Sequence, residues 1–566
     1  MRTHLVFIFA IVVFIAAAYA NALKNDFVWD DEFLVRDNIS IRSFSHAEDI
    51  FKSYLASSSG NRNNFYRPVQ ELSYMADYFL WGNDPMGFHL TNIILHTTCA
   101  ILLYALMLRI FSGTAVAFVT ALFFGVHPVN TEAVTYVAGR ADPLYLLFFL
   151  LSIIFFLRSP HFLKNARSVK IPYYSASLLC FALAILSKEI AIVLPLFLWL
   201  HEACCSYDPD TARQVRRLYY PYLALCASYL LLRKTVLDFS GIAPSSLLGE
   251  FSLYERLLTM AKVVMTYAGI LLFPAGLHME RVMPVSRSFF EPQTIVSVVA
   301  LAFSVFGMVR AFGRNKRLFF ASAWFFAGLL PVSNIVPINS FIAEHWLYLP
   351  AIGVFAILGI GIDKILAVAR ERIFFKTVVY LVVIAIGGML AYLTAVRNRD
   401  WKDEAAFFKN TIAHSPNNAR LHLNFGNTYY EQGKSREALE EYGAAAGIRP
   451  DYAEAWGNIG SIYIDRGEYD KAKPYLEKAL AIKPDFPDAL LNLGMIYGEE
   501  GDNDKALRHL ELALKMRPDF VRCHMELASL YLKMDMVRDA VLHWKEALRI
   551  NPGEKDAARL IRLYGR

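Results

Sequence analysis

Three carboxylates in a row, Asp30-Asp31-Glu32, follow the aromatic run Phe27-Val28-Trp29 just after the first long apolar stretch of the chain. Adjacent carboxylates raise each other's pKa, which suits a general base or a cation site. An isolated run of this kind reads as the start of a solvated loop. Here it is not isolated. Phe65-Tyr66-Arg67-Pro68-Val69 sets a cation among aromatics, and Gly87-Phe88-His89-Leu90-Thr91-Asn92 opens an apolar stretch. His89, Asn92 and His96 share one face of that helix. His127, Glu132 and Arg140 fall within HPVNTEAVTYVAGRAD, and Lys188-Glu189 sits between two apolar runs with almost no loop. Glu344, His345 and Tyr348 open a later run. Ionisable residues at membrane depth are functional candidates by default. Arg and Lys at such a boundary suit a phosphate. Taken singly, each group reads as well as a helix cap, a snorkelling cation or a buried ion pair. Their recurrence on one predicted face favours a site.

The elements that must position these residues are apolar helices. Hydrophobic residues make up 56% of the 566-residue chain, and mean hydropathy is +0.34, which indicates a membrane protein. A net charge of +6 gives no reason to invoke nucleic acid. Six cysteines, with no CxxC pair, make neither a disulfide framework nor a metal site. Placing the Lys/Arg clusters Arg109, Arg158–Lys170, Arg213–Arg217, Arg310–Arg317 and Lys364–Lys376 inside fits about 11 spans. They run over 5–23, 88–108, 113–127, 143–157, 172–187, 189–203, 218–236, 293–310, 318–333, 346–363 and 375–396. Ala18-Tyr19-Ala20 resembles a signal-peptidase site, but the length of the first run favours a retained anchor. The apolar stretch 257–275 reads as re-entrant or interfacial, because a span there would put Arg310–Arg317 outside. An odd count puts the N-terminus inside. The acidic and aromatic loops then lie on the outer face.

After the last span the pattern changes. Pro416, Pro450, Pro484, Pro518 and Pro552 follow one another at intervals of 34 residues, the period of a tetratricopeptide repeat (TPR). Gly426, Gly460, Gly494 and Ala528 keep step where two helices cross closely, and Ala438, Ala472, Ala506 and Ala540 are their small partners. Gly433, Gly467 and Gly501 supply the turn, with Asp535 in the fourth repeat. The fold class is therefore all-α, a polytopic helix bundle followed by an α-solenoid. The bundle covers 1–396, with a first outer loop over 24–87. A linker and helix lead-in cover 397–418, four repeats 419–554 and a capping helix 555–566. Such a solenoid usually offers a concave surface to a protein or peptide.

The segments FVWDDEFLVRDN, YRPV, GFHLTNIILH, HPVNTEAVTYVAGRAD, LSKE and AEHWLYLP, followed by TPRs, resemble the transmembrane-and-TPR O-mannosyltransferases (TMTC type) of the GT-C class. The resemblance covers nearly the whole chain. It implies a membrane glycosyltransferase that moves mannose or a similar hexose from a polyprenyl-phosphate donor to an acceptor hydroxyl. The expected acceptor is protein Ser/Thr, recruited by the TPRs on the outer face. Asp30 and Asp31 match the acidic position that serves the acceptor, with Asp31 the favoured base. Lys188, with Arg140, matches a contact to the leaving phosphate, and one displacement inverts the sugar. His127, Glu132, Glu189, Glu344, His345 and Tyr348 match the donor pocket, while Arg67, His89 and Asn92 belong to the outer-loop pocket. No cofactor is required, and a divalent metal is allowed by the Asp pair but not expected. The short array of four repeats, against longer arrays in the animal enzymes, points to a bacterial inner-membrane protein with periplasmic TPRs, or an endoplasmic-reticulum protein if eukaryotic. The rival readings are a membrane-anchored TPR scaffold for envelope assembly and the same transferase acting on a lipid or glycan.

Overall fold

The structure, a computed structural model, describes residues 2–59, 65–159, 170–205, 213, 215–235, 247–368 and 372–565. Parts of the expected inner loops Arg158–Lys170, Arg213–Arg217 and Lys364–Lys376 lie outside the described residues. Among the described residues the regular elements are helices, and no strand occurs. The chain forms two compact units, Met1–Asn410 and Thr411–Arg566.

In the first unit, each apolar run named above contains a helix. Among the described residues, six are long and apolar enough to cross a membrane: Arg2–Lys24, Pro85–Phe111, Val137–Arg158, Pro292–Arg314, Ala351–Val368 and Ile373–Trp401. Thr114–Val126 and Pro128–Val134, bent by 51° at His127, form a broken span or a re-entrant loop. The count of uninterrupted spans is therefore lower than the eleven expected, for a local reason. Ile171–Ser187, Leu194–Cys204, Tyr220–Thr235 and Lys316–Leu329 are 17, 11, 16 and 14 residues long. Each falls short of the roughly 20 residues of a straight span. The chain between Ser187 and Leu194 turns through a 3-10 segment, Glu189–Val193, that sets Lys188 and Glu189 at a break between two helices. The stretch 257–275 is also helical, Leu253–Leu272, and starts from a capping box made by Ser252 and Glu255.

Close helix approach depends on two glycines. A Cβ on Gly353 would meet Ala321 O at 2.5 Å, and one on Gly359 would meet Val116 O at 3.0 Å. Ala351–Val368 therefore lies directly against its two neighbours. Trp324, buried in the same packing, donates its indole N–H to Leu349 O at 3.0 Å and meets Phe197 edge-on at 4.6 Å.

The second unit is four helix pairs. Ala419–Glu431 pairs with Ser435–Ile448, Ala453–Asp465 with Tyr469–Ile482, Pro487–Glu500 with Asn503–Met516, and Val521–Lys533 with Val537–Ile550. A last helix, Lys555–Tyr564, packs on the fourth pair through Ala557. The turn positions take positive φ as their residue types require: Gly433 at 73°, Gly467 at 71°, Gly501 at 80° and Asp535 at 60°. The crossing glycines are as tight as expected. A Cβ on Gly426 would strike the Tyr442 ring at 2.5 Å, and one on Gly494 would strike Leu510 at 2.7 Å. One periodic device is not evident from the prolines alone. A ring N–H from His422, Trp456 and His524 is bonded to the carbonyl of Pro416, Pro450 and Pro518, at 3.0, 2.9 and 3.1 Å.

Candidate active site

The segment from His127 to Arg140 organises the polar part of the first unit. It leaves the helix Thr114–Val126 at His127, whose Nδ1 accepts the Val129 N–H at 3.2 Å. It then makes two short helical turns, Thr131–Val134 and Val137–Arg140. A buried irregular segment needs its backbone groups satisfied. Neighbouring side chains do this. Asn92 donates to Val134 O at 3.2 Å, Gln70 to Ala138 O at 3.1 Å, and the Tyr74 hydroxyl to Val137 O at 3.0 Å. A Cβ on Gly139 would lie 2.2 Å from Glu132 O. Gly139→Ala is therefore expected to destabilise the protein by about 1–3 kcal/mol. A melting temperature in detergent equal to wild type would contradict this packing.

The acidic motif is fastened to this segment. Asp31 is fully buried. Its Oδ1 accepts the Ala138 N–H at 2.6 Å and its Oδ2 the Val28 N–H at 3.1 Å. Burial pushes the Asp31 carboxyl well above the ordinary carboxylate range; the two N–H donors pull it back, and the neighbouring Asp30 charge adds to the rise. Asp30 is only partly buried, and its N–H donates to the Tyr136 hydroxyl at 3.1 Å. Trp29, just before it, holds φ at 54°. A bulky residue in the left-handed region is costly and persists where its surroundings hold it. Phe407 and Phe408 do so, each with its ring 5.4 Å from that of Trp29. The result is a presented Asp30 on a fixed, strained turn, with Asp31 as the buried fastening beneath it.

A second cluster lies on the other side of Tyr136. The Tyr136 ring stacks on Trp401 at 5.0 Å, and the Arg397 guanidinium is 6.0 Å from the Trp401 ring. Arg397 Nη2 lies 3.5 Å from Glu344 Oε2, and Arg281 Nη2 lies 3.4 Å from Glu344 Oε1. The His278 N–H also donates to Glu344, at 2.7 Å. Burial pushes the Glu344 carboxyl up to about 7, against the pull of Arg397. Next to it, His345 is gripped by the buried Glu132. Oε1 takes Nδ1 at 2.5 Å and Oε2 accepts the backbone N–H at 3.1 Å. A carboxylate on Nδ1 fixes the ring's tautomer and orientation.

A third cluster starts where helix Pro68–Trp81 begins. Arg67 makes a two-pronged bond to Glu189, at 3.1 and 2.8 Å. Lys188 Nζ is buried and sits 2.7 and 2.8 Å from the two oxygens of Asp142.

Residues 419–485, 451–519 and 499–564 match the tetratricopeptide repeat family. The likeness extends through the membrane part. The chain is 27% identical over 458 residues to the protein O-mannosyl-transferase F38B6.6 of Caenorhabditis elegans, covering 77% of this chain and 62% of that one. It is 25% identical over 495 residues to the human protein O-mannosyl-transferase TMTC1, covering 77% and 54%. With the human protein O-mannosyl-transferase TMTC4 the figures are 26% over 479 residues, 75% and 64%. The chain is a relative of the TMTC-type O-mannosyl-transferases. It spans between about half and two thirds of the length of these curated relatives.

Several of the expected site residues are already engaged within the fold. Arg140 was expected beside a phosphate. It is fully buried, paired with Asp77 at 2.5 Å and bonded to Asn92 Oδ1 at 2.7 Å and Phe88 O at 2.9 Å. Its charge is already paired within the fold. Lys188 is likewise taken up by Asp142. Asn92 serves the segment's carbonyls. Tyr348 is buried among helices and bonds His96 Nδ1 at 2.7 Å. His127 packs on Phe355 at 5.3 Å, and His89 is buried. Asp31, the favoured base, has both oxygens engaged. Sequence reading gave no role to Asp77, Asp142, Tyr136, Arg281 or Arg397. Asp142 and Tyr136 lie inside or beside the quoted motif. Arg281 lies in a connecting segment and Arg397 just after the last expected span, where a cation carries no distinctive pattern.

Proposed function

We propose that this multi-pass membrane protein is an inverting GT-C-type glycosyltransferase. It moves a hexose, mannose first among candidates, from a polyprenyl-phosphate carrier to a hydroxyl of protein Ser or Thr. The reaction takes place on the outer face of the membrane, with the TPRs recruiting the acceptor; in a bacterium this is the periplasmic face of the inner membrane. The observation that carries the reading is the strained Trp29-Asp30 turn, pinned through Asp31 to Ala138. It stands in a chain related to protein O-mannosyl-transferases along both of its parts.

Asp30 takes the proton of the acceptor hydroxyl as its oxygen attacks the anomeric carbon. The new C–O bond forms as the bond from that carbon to the phosphate oxygen breaks, and the electron pair leaves with the lipid phosphate. A base in reach of the hydroxyl contributes through the transition state. Cations facing the phosphate stabilise the charge that grows there. A lipid monophosphate is a competent leaving group in such a site, and no step of this route calls on a metal.

The test is product analysis. Purified protein in detergent is given polyprenyl-phosphate mannose and Ser/Thr peptides. The expected product is a mannosylated peptide with the anomeric configuration opposite to that of the donor. Retention of the donor's configuration would contradict the single displacement, and label recovered in lipid or glycan would remove the protein acceptor.

A further inference from the structure

The two cations expected to face a phosphate, Arg140 and Lys188, are each closed off by an aspartate. Arg281 and Arg397 are less fully engaged, since Asp400 takes only one end of the Arg397 guanidinium and each arginine keeps a long contact to Glu344. Arg281 Nη2 donates to Gly276 O at 2.7 Å but reaches Glu344 only at 3.4 Å. Arg397 Nη1 bonds Asp400 at 2.8 Å, while its Nη2 stays 3.5 Å from Glu344. A formed bond between a guanidinium and a carboxylate measures about 2.7–2.9 Å. Both contacts to Glu344 are therefore loose. The Nε atoms of both arginines are buried and have no partner among the described residues, and the same holds for the Trp401 indole nitrogen beside Arg397. A buried donor without a partner is costly, so such a group marks strain or an unfilled binding role. Both arginines face the one carboxylate of Glu344.

His345 completes the group. Glu132 holds its Nδ1 and its backbone N–H, and leaves Nε2 without a protein partner among the described residues on a side chain that is 27% exposed. Arg281 is also partly open, at 19%. The groups that face Glu344 are Arg281, Arg397, His345, Glu132, His278 and Tyr267, with Asp400 on the far side of Arg397.

We propose that Arg281, Arg397 and His345 form a site for an anionic phosphoester, the phosphate of the lipid donor. This rests on the transferase reading for the identity of the ligand, and on the geometry for the site. A phosphoester oxygen offers the short, charge-assisted bonds that Glu344 does not make. Burial raises the Glu344 carboxyl to about 7, so about half of it is protonated at neutral pH, which weakens its competition with an anion. Through Trp401 and Tyr136 the site adjoins the Asp30 turn.

The experiment is calorimetric titration of the purified full chain in detergent with farnesyl phosphate, farnesol and inorganic phosphate. Farnesyl phosphate is expected to bind the wild type, with farnesol silent. Arg281→Gln is expected to weaken it about tenfold or more, and Arg281→Lys by less. Equal affinity for wild type, Arg281→Gln and Arg397→Gln would overturn the site. Inorganic phosphate binding as tightly as farnesyl phosphate would overturn the lipid donor as its ligand. Binding that depends on Arg281 in a protein that transfers no sugar would keep the anion site and sink the transferase reading. Arg281 is partly exposed, so its variants are expected to melt with the wild type. This keeps the test decisive even if Arg397→Gln unfolds.

Discussion

Asp30→Asn is expected to lower sugar transfer by about 10²–10⁴-fold, the usual contribution of a positioned base, and to leave the melting temperature where it is. Asp30 is only partly buried, and the substitution keeps the bond from its backbone N–H to the Tyr136 hydroxyl. Asp31→Asn is expected to behave differently. An amide in place of the carboxylate turns an NH2 toward the N–H of Val28 or of Ala138, both of which now donate to Asp31. An unpaired buried N–H costs about 1–3 kcal/mol. Asp31→Asn should therefore lower the melting temperature, and lower transfer through the loosened turn. Thermal unfolding and transfer measured on the same preparations separate the two roles. An Asp30→Asn enzyme with wild-type transfer would exclude Asp30 as the base. An Asp31→Asn protein as stable as wild type would show that the Ala138 and Val28 contacts matter little.

The second large effect is on stability. Lys188→Met leaves Asp142 buried without its partner, and breaking a buried ion pair from one side costs about 3–5 kcal/mol. The double variant Lys188→Met/Asp142→Leu replaces both charges with apolar groups. It is expected to regain most of that loss, since a buried pair exchanged for well-packed apolar residues is often close to neutral. The double variant also decides what Lys188 is for. If it is a structural partner of Asp142, transfer returns with the fold. A double variant that melts like the wild type but transfers nothing would return Lys188 to the phosphate.

The repeats were readable because their physics is local and periodic. A 34-residue interval of prolines, a small residue at each helix crossing and a glycine at each turn specify one helix pair at a time. Even the exception, Asp535, adopts the positive φ its position requires. The motif positions of the membrane part were readable for a similar reason: acidic, aromatic and basic residues stood out against apolar runs. Their roles were not. Arg140 and Lys188 look alike as cations near a membrane surface, yet each is closed off by a carboxylate, Asp77 or Asp142, whose pairing only the folded chain reveals. Asp30 and Asp31 are neighbours in sequence. Which of them faces outward is set by where Ala138 lies. Helix length was misread wherever a 3-10 turn interrupts an apolar run, as after Ser187, because composition does not register the break. Arg281 and Arg397 were invisible as a pair, since nothing in their own surroundings signals that Glu344 will stand between them.

The most direct test of the central claim uses membranes carrying the wild-type chain or Asp30→Asn at equal abundance, supplied with radiolabelled polyprenyl-phosphate mannose. The account predicts label in protein with the wild type and its near absence with Asp30→Asn. Equal incorporation by the two membranes, or none by the wild type with several donor sugars, would contradict it.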